Sequence, residues 1–272
     1  MLLRPLLITL LASSPTFACQ DTSLLGLTGS LSVKTCGISQ PGCVYSGEAL
    51  YKYMEAQPDD PDTFSIGLQT SPWRAYDGEM RILTMEEIAA TVREHREPRN
   101  RKVILYGSWT GRSPSAGVES IATRLSKALD GFPVEGQDGF LWIDRTGKTR
   151  TTHQAFSVWH NTGAYAVPTG EEVMIALVEG WKVSRDDFPA DDPAFMLQAA
   201  VGSDVFKLCP EEALARFEAA AAKGSAIAAY NAALVRLERK HSGDEKAAIA
   251  FMTRAAALGD AKARAWLESI RQ

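Results

Sequence analysis

Two stretches of the chain decide the fold of its C-terminal part: AAAAKGSAIAA (residues 219–229) and RAAALGDAKAR (residues 254–264). They lie 35 residues apart. The same shift aligns a larger set of small and apolar positions, namely Ala213 with Ala248, Leu214 with Ile249, Ala220 with Ala255, Ala221 with Ala256, Gly224 with Gly259, Ala226 with Ala261 and Ala228 with Ala263. A period of this length is typical of stacked helix pairs.

Local signals place helices on both copies of this pattern. Pro210 suits the first turn of a helix, and Gly224 suits the left-handed position that ends one. Ser225 and Asp260 occupy equivalent N-cap positions, and each cap contributes about 1 kcal/mol to the helix that it opens. The apolar residues of the first helix share one face, which consists of Leu214, Phe217 and Ala221.

The same region resembles a known repeat family. It contains AAYNAA (residues 228–233), the pair Gly243-Asp244, KAA (residues 246–248) and RAAALGD (residues 254–260). Together these motifs resemble one complete Sel-one-like repeat, a relative of the tetratricopeptide unit, with a matching half on each side. The likeness covers roughly residues 211–272 and departs from the family at Ala233, where Gly is usual, and in a shortened loop at residues 241–243. The resemblance implies a scaffold for protein complexes.

The region before the repeats reads as an α+β or α/β domain, so the fold class is such a domain followed by a short α-helical repeat. Its order of strand, helix, strand, helix indicates a small sheet with helical cover. The predicted elements are strands at 63–69, 80–83 and 102–106, helices after the capping box at 84–87 and over 118–129, a hairpin of 139–144 with 148–153, and helices over 171–181 and 193–207. Two helix pairs are too few to fold alone, so we expect them to pack on this domain.

The N-terminus resembles a secretory signal peptide. Arg4 precedes an apolar run over residues 6–12, and small or polar residues end at Ala18, after which we expect cleavage. Lipidation of Cys19 is the alternative, although the residues before it fit bacterial lipoproteins poorly. The predicted organisation is a signal peptide at 1–18, a disulfide-containing segment at 19–62, the mixed domain at 63–192 and a helical region at 193–272. The expected location is periplasmic or secreted, with membrane attachment only through a lipidated Cys19.

The four cysteines suit an oxidising compartment, where disulfides persist. Cys36 and Cys43 flank a short Gly- and Pro-containing segment, so we expect them to pair. Cys19 with Cys209 then follows by elimination. No spacing of Cys or His residues suggests a zinc site, and we predict no metal or cofactor.

Composition and charge exclude nucleic acid as a partner. The formal net charge is only -4 and no basic stripe is present, whereas nucleic-acid binding requires an excess of cations that neutralise phosphates. The central segment is rich in tryptophan, and we nominate Trp109 as an anchor for a protein partner.

Catalysis is the alternative function, and the sequence contains no clear motif for it. The loop Gly107 to Gly111 follows a buried strand, but it lacks the ending of a phosphate-binding loop, and Tyr106 breaks the G-x-S-x-G nucleophile pattern. A hydrolase or carbohydrate-binding enzyme would require Ser108, His153 and a carboxylate to converge. The nearby candidates are His160, Asp138 and Asp144.

We therefore predict an exported adaptor, scaffold or neutralising protein that binds a protein partner through its repeat. The candidate contact residues lie beside the alanine columns: Tyr230, Asn231, Arg236 and Arg264. Tyr230 and Asn231 equally suit packing within the repeat. Charge reversal at Arg236 and Arg264 is expected to weaken partner capture with little change in stability.

Overall fold

The computed structural model describes residues 53–144, 146–153, 172–174, 191–205 and 207–271. The predicted signal peptide, Cys19, Cys36, Cys43 and His160 lie outside the described residues. Within this part of the chain, the N-terminal half is a mixed strand and helix region and the C-terminal part is a run of helices, as the sequence predicts.

The described strands are β1 (Thr63–Gly67), β2 (Gln69–Thr70), β3 (Ala75–Tyr76), β4 (Ile82–Leu83), β5 (Lys102–Tyr106), β6 (Val134–Glu135), β7 (Phe140–Asp144), β8 (Thr149–Thr152) and β9 (Glu172–Met174). The described helices are α1 (Met85–His95), α2 (Ile121–Ala128), α3 (Pro193–Val205), α4 (Pro210–Ala222), α5 (Ala226–Arg239), α6 (Asp244–Ala257) and α7 (Ala261–Ser269).

A parallel sheet of strand order β1-β5-β6 organises the first half of the molecule. The helices α1 and α2 follow β1 and β5 in the chain and contact each other. Alternation along β5 buries Val103 and Leu105, which join Ile88 of α1 and Leu125 of α2 in one apolar core. Period-two burial in the strand and helical spacing in the helices therefore account for this layer.

Local capping determines where these two helices begin. The predicted capping box is confirmed, since the hydroxyl of Thr84 accepts from the amide of Glu87 while the Glu87 carboxylate accepts from the amide of Thr84. Ser120 caps α2, so Val118 lies before that helix and is 43% exposed, not part of its apolar face as predicted. Gly131 takes a left-handed conformation shortly after α2 ends.

Two antiparallel sheets complete the first half. One is the meander β2-β3-β4, and the other has the order β8-β7-β9. The hairpin of β7 and β8 confirms the prediction. The helix predicted over residues 171–181 is wrong at its start, because residues 172–174 form β9 against β7. A short run of apolar residues is compatible with a helix or a strand. Here the strand satisfies the backbone hydrogen-bonding groups of β7 on the side away from β8.

The junction between α4 and α5 and the junction between α6 and α7 have the same local geometry. Gly224 and Gly259 have φ angles of +103° and +100°, which suit glycine at a helix end. Ser225 and Asp260 then cap α5 and α7, each through a side-chain oxygen that accepts the amide three residues later, at 3.1 and 2.8 Å. Both predicted N-caps are confirmed.

One apolar core joins the two halves of the molecule. It contains Tyr76 and Ile82 of the meander, Phe140 of β7, and buried residues of every helix from α3 to α7, such as Phe217 and Ala229. The helical region therefore packs on the mixed domain, as expected for an array too short to fold alone. Residues on both sides of the predicted domain boundary at residue 192 belong to this core.

Candidate functional site

Three alternate helices of the array, α3, α5 and α7, form polar contacts with residues 71–87, which we name the docking segment. It comprises most of the meander and the start of α1. These three are called the inner helices below. Their polar contacts with the docking segment fall into three groups, which are centred on Asp204 of α3, on Asn231 of α5 and on the first turn of α7.

Asp204 of α3 is the centre of the first group and is fully buried. Its carboxylate accepts hydrogen bonds from the guanidinium of Arg74 at 2.6 Å, from the hydroxyl of Ser71 at 2.6 Å and from the phenol of Tyr76 at 2.7 Å. Arg74 also donates to Glu238 of α5 at 2.8 Å. Such a buried carboxylate is tolerated because its oxygens are paired and hydrogen-bonded.

This buried group shifts the pKa values of its members. Burial opposes the charge of Arg74, but the carboxylates of Asp204 and Glu238 outweigh that effect and raise the pKa of its guanidinium. Burial, reinforced by the negative charge of Asp204, raises the pKa of Tyr76 well above its usual value. Arg74 therefore stays charged and Tyr76 stays neutral, which is the arrangement that satisfies the Asp204 carboxylate.

Asn231 of α5 holds the meander at its turn. Its side-chain oxygen accepts from the amide of Ile82 at 2.9 Å, and its side-chain nitrogen donates to the carbonyl of Met80 at 2.8 Å. The neighbouring ring of Tyr230 lies 5.5 Å from the guanidinium carbon of Arg81. Burial, with a further contribution from Glu87, raises the pKa of Tyr230 to about 12. Both predicted contact residues are thus buried against the chain's own docking segment.

The third group lies at the start of α7. Arg81 forms an ion pair with Asp260, the buried N-cap of that helix. Lys262 pairs with Glu87 at 2.6 Å. Burial opposes the charge of Glu87, but Lys262 and the amide of Thr84 lower the pKa of its carboxyl. The first turns of α1 and α7 are therefore linked through Glu87, which completes the capping box of α1, and Lys262.

Arg236 and Arg264, the remaining repeat candidates, lie in different surroundings. Arg236 is mostly buried and pairs with Glu218 of α4 and, at 2.8 Å, with Asp244 of α6. The expectation that its charge can be reversed with little effect on stability is therefore wrong, because a carboxylate there would face two others. Arg264 is exposed on α7, where its guanidinium donates to the carbonyl of Gly259 at 3.3 Å.

The loop after β5 is a closely packed turn. Gly111 and Gly136 approach so closely that a Cβ on Gly111 would lie 2.7 Å from the Gly136 backbone. The amide of Gly111 donates to the carbonyl of Gln137, and the amide of Trp109 donates to that of Gly139, both at 2.8 Å. Both amides donate hydrogen bonds to carbonyl groups of the protein itself. This favours a structural turn over a loop that binds an anion.

Among the described residues, no hydrogen bond joins Ser108 to His153, or either of them to a carboxylate. Ser108 is fully buried, and its hydroxyl accepts from the amide of Leu141 at 3.0 Å. Asp144 lies in the turn of the β7–β8 hairpin, where it accepts from Thr146 and Lys148. Asp138 and His153 leave the opposite end of the hairpin, because its register pairs Phe140 with Thr152.

Trp109 is 3% exposed and cannot itself anchor a partner as predicted. Its φ angle is +66°, a left-handed conformation that bulky residues rarely adopt. Phe140 meets its ring edge-on with centroids 5.2 Å apart, and His153 stacks on it at 5.7 Å. The loop thus turns this side chain inward beneath His153.

Cys209 is buried at the start of α4 and is not a free thiol. The other three cysteines lie outside the described residues, so the pairings of Cys36 with Cys43 and of Cys19 with Cys209 stay predictions. No cluster of three or more His, Cys, Asp or Glu among the described residues is arranged to hold a metal ion. In the same part of the chain, no helix combines the length and apolar character needed to cross a membrane.

Sequence reasoning missed Arg74, Arg81 and Asp204, which carry the contact between the two halves. One signal was present for Asp204, since it is the one charged residue of the apolar helix α3. A lone charge in such a helix indicates a buried partner, but no sequence pattern identifies which cation supplies it.

Comparison with known families reaches only the first half of the chain. A family model described as a domain of unknown function (DUF8616) matches residues 40–151. The chain is similar to that domain. The match includes the parallel sheet, the docking segment and most of the β7–β8 hairpin, and it ends before the helical array. No curated protein and no solved structure matches the chain.

Proposed function

We propose that this chain is an exported protein-binding protein of the cell envelope, an adaptor, scaffold or neutralising protein built on a short helical array of Sel-one-like type. The observation that carries the proposal is the recurrence of cap and glycine geometry at Gly224-Ser225 and Gly259-Asp260. Arrays of this kind act by presenting helix surfaces to other polypeptides.

The inner helices already hold a polypeptide, which is the chain's own docking segment. Tyr230 and Asn231 are occupied by that contact, and Arg236 pairs within the array. A partner in solution therefore meets the outward surface, and Arg264 is the candidate that stays accessible. Ala265 and Glu268 of α7 are also exposed.

A partner at this part of α7 would meet two opposite charges beside a small side chain. Arg264 and Glu268 are four residues apart, so they lie on one side of the helix, and Ala265 lies next to them around the helix axis. Charge pairs of this kind set the orientation and identity of a partner more than the affinity. The proposed partner is a protein with a complementary charged helix face.

Site-directed photocrosslinking in the cell-envelope fraction tests this proposal. A photoreactive amino acid at Ala265 is expected to capture a defined protein partner, identified by mass spectrometry. The matched control places the same group at Glu94 of α1, which is 74% exposed on the mixed domain. Capture of the same proteins from both positions would contradict a binding face on α7.

A charge exchange provides the second arm. The double variant Arg264→Glu with Glu268→Lys preserves the net charge and the intrahelical spacing, so its unfolding free energy is expected to stay within about 0.5 kcal/mol of wild type. It is expected to lose the Ala265 crosslink. Undiminished capture by the folded variant would remove this face from the proposal.

A further inference from the structure

A second surface lies at the carboxyl edge of the parallel sheet. Three segments meet there: the loop Gly107 to Arg112 after β5, residues 136–139 after β6, and the end of β8 at His153. Ligands of open α/β sheets bind outside the carboxyl ends of the strands, because the loops that follow them converge at that edge. This edge was not part of the proposed function.

Trp109 forms the floor of this surface. The left-handed backbone at this residue turns its ring inward, where it contacts Phe140. The exposed imidazole of His153 stacks on the ring with an interplanar angle of 22°. The guanidinium carbon of Arg112 lies 5.9 Å from the centre of the same ring. One buried aromatic side chain therefore positions two polar groups.

Both side chains carry N–H donors that have no carboxylate partner among the described residues. Among the contacts of the described residues, neither Arg112 nor His153 pairs with a carboxylate. This differs from Arg74, Arg81, Arg236 and Arg239, which all pair with carboxylates. The acidic group at the same edge, Asp138, accepts a hydrogen bond from the hydroxyl of Thr151 at 2.8 Å.

We propose that Arg112 and His153, positioned over Trp109, bind a carboxylate group. A guanidinium donates two parallel N–H groups that match the two oxygens of a carboxylate, and an imidazole N–H supplies a further donor. One permanent cation and one histidine on the same tryptophan ring, with Asp138 at the same edge, suit a singly charged carboxylate better than a doubly charged phosphate. The carboxylate comes either from an acidic segment of a protein or from a small organic acid.

Fluorescence polarisation of the full chain tests the site with a fluorescein-labelled oligoglutamate peptide. Glutarate and inorganic phosphate serve as competitors, and an oligoglutamine peptide serves as the neutral probe. Arg112→Gln and His153→Gln are the test variants. Arg101→Gln is the matched control, because Arg101 is 81% exposed just before β5, at the opposite edge of the same sheet.

Oligoglutamate is expected to bind wild type and the Arg101→Gln variant equally, and to bind Arg112→Gln about tenfold more weakly, as expected when a charge-assisted hydrogen bond is lost. The His153→Gln variant is expected to weaken binding as well, and it decides the question if Arg112→Gln does not fold. Stronger competition by glutarate than by unlabelled oligoglutamate assigns the site to a small acid, and the reverse assigns it to a protein segment.

Three outcomes would overturn the site: no binding of oligoglutamate or glutarate by wild type, an equal loss in the Arg101→Gln variant, or stronger competition by phosphate than by glutarate. None of these affects the crosslinking at Ala265 of α7. Failure of the carboxylate site and failure of the proposed function are therefore distinguishable.

Discussion

Asp204 and Asp244 show how far the role of a residue depends on its partners. Both are buried carboxylates on helices of the array. Asp204 faces the docking segment and ties the two halves together. Asp244 accepts from the guanidinium groups of Arg236 and Arg239 and from the amide of His241, so it stabilises the junction between α5 and α6.

The junction at Asp244 predicts a dependence of stability on pH. Arg239 contributes most to lowering the pKa of this carboxyl, and the amide of His241 and the guanidinium of Arg236 lower it further. Because the folded-state pKa lies below the value of about 3.9 for an unfolded Asp, the unfolded chain binds more protons as the pH falls below about 4. The contribution of Asp244 is therefore complete above that pH and is lost under more acid conditions.

Asp244→Asn is expected to lower the free energy of unfolding at neutral pH and to make it fall less steeply below about pH 4, because Asn does not titrate in this range. Urea unfolding at neutral pH and at two acid values measures both effects. Asp191→Asn is the control, since the ion pair of Asp191 with Lys223 is exposed. An acid dependence as steep as that of wild type would contradict this role.

The helices α5 and α7 begin with the same cap geometry but in different surroundings. Among the described residues, the cap of α5, Ser225, contacts its own helix through the amide of Ala228. The cap of α7, Asp260, also pairs with Arg81 of the docking segment and has a fully buried side chain. Of two caps that lie 35 residues apart, one is thus a local cap and the other is also a contact between the two halves.

This difference predicts unequal effects of two equivalent substitutions. Ser225→Ala is expected to lower the free energy of unfolding by about 1 kcal/mol, the usual contribution of a cap. Asp260→Ala is expected to cost about 3 kcal/mol or more, because it also leaves the guanidinium of Arg81 without its buried partner. Chemical unfolding of both variants decides the point, and equal losses would show that the ion pair adds nothing.

At the scale of the whole molecule, one apolar core joins the array and the mixed domain. Their shared core includes Tyr76 and Ile82 from one half and Ala229 and Tyr230 from the other. The inner helices also carry buried polar groups whose partners lie in the docking segment, such as Asp204 and Asn231. Without that segment these groups are exposed or unsatisfied, which disfavours the folded array.

A fragment of residues 191–272 is therefore expected not to unfold cooperatively by itself. Circular dichroism during heating measures this, with the full chain as the comparison. In the full chain, the helical signal and the tryptophan fluorescence are expected to change together in one transition. A fragment that melts cooperatively near the midpoint of the full chain would show that the array has a sufficient core of its own.

Sequence alone determined the elements that depend on neighbouring residues. The capping box at Thr84, the N-caps Ser225 and Asp260, the strand over 102–106 and the β7–β8 hairpin all follow from local spacing and are found where predicted. Helix periodicity and turn chemistry act within a few residues, so one sequence suffices to recognise them.

Tertiary structure decided which surfaces remain accessible. Tyr230 and Asn231 have the spacing of contact residues, yet the docking segment, about 150 residues earlier in the chain, covers them. Trp109 was predicted to be an anchor, and its left-handed backbone turns it inward, so that Arg112 and His153 lie over it. Residues 172–174 form a strand because their backbone pairs with that of β7. Contacts between distant segments leave no local pattern, and they determine burial, partners and exposure.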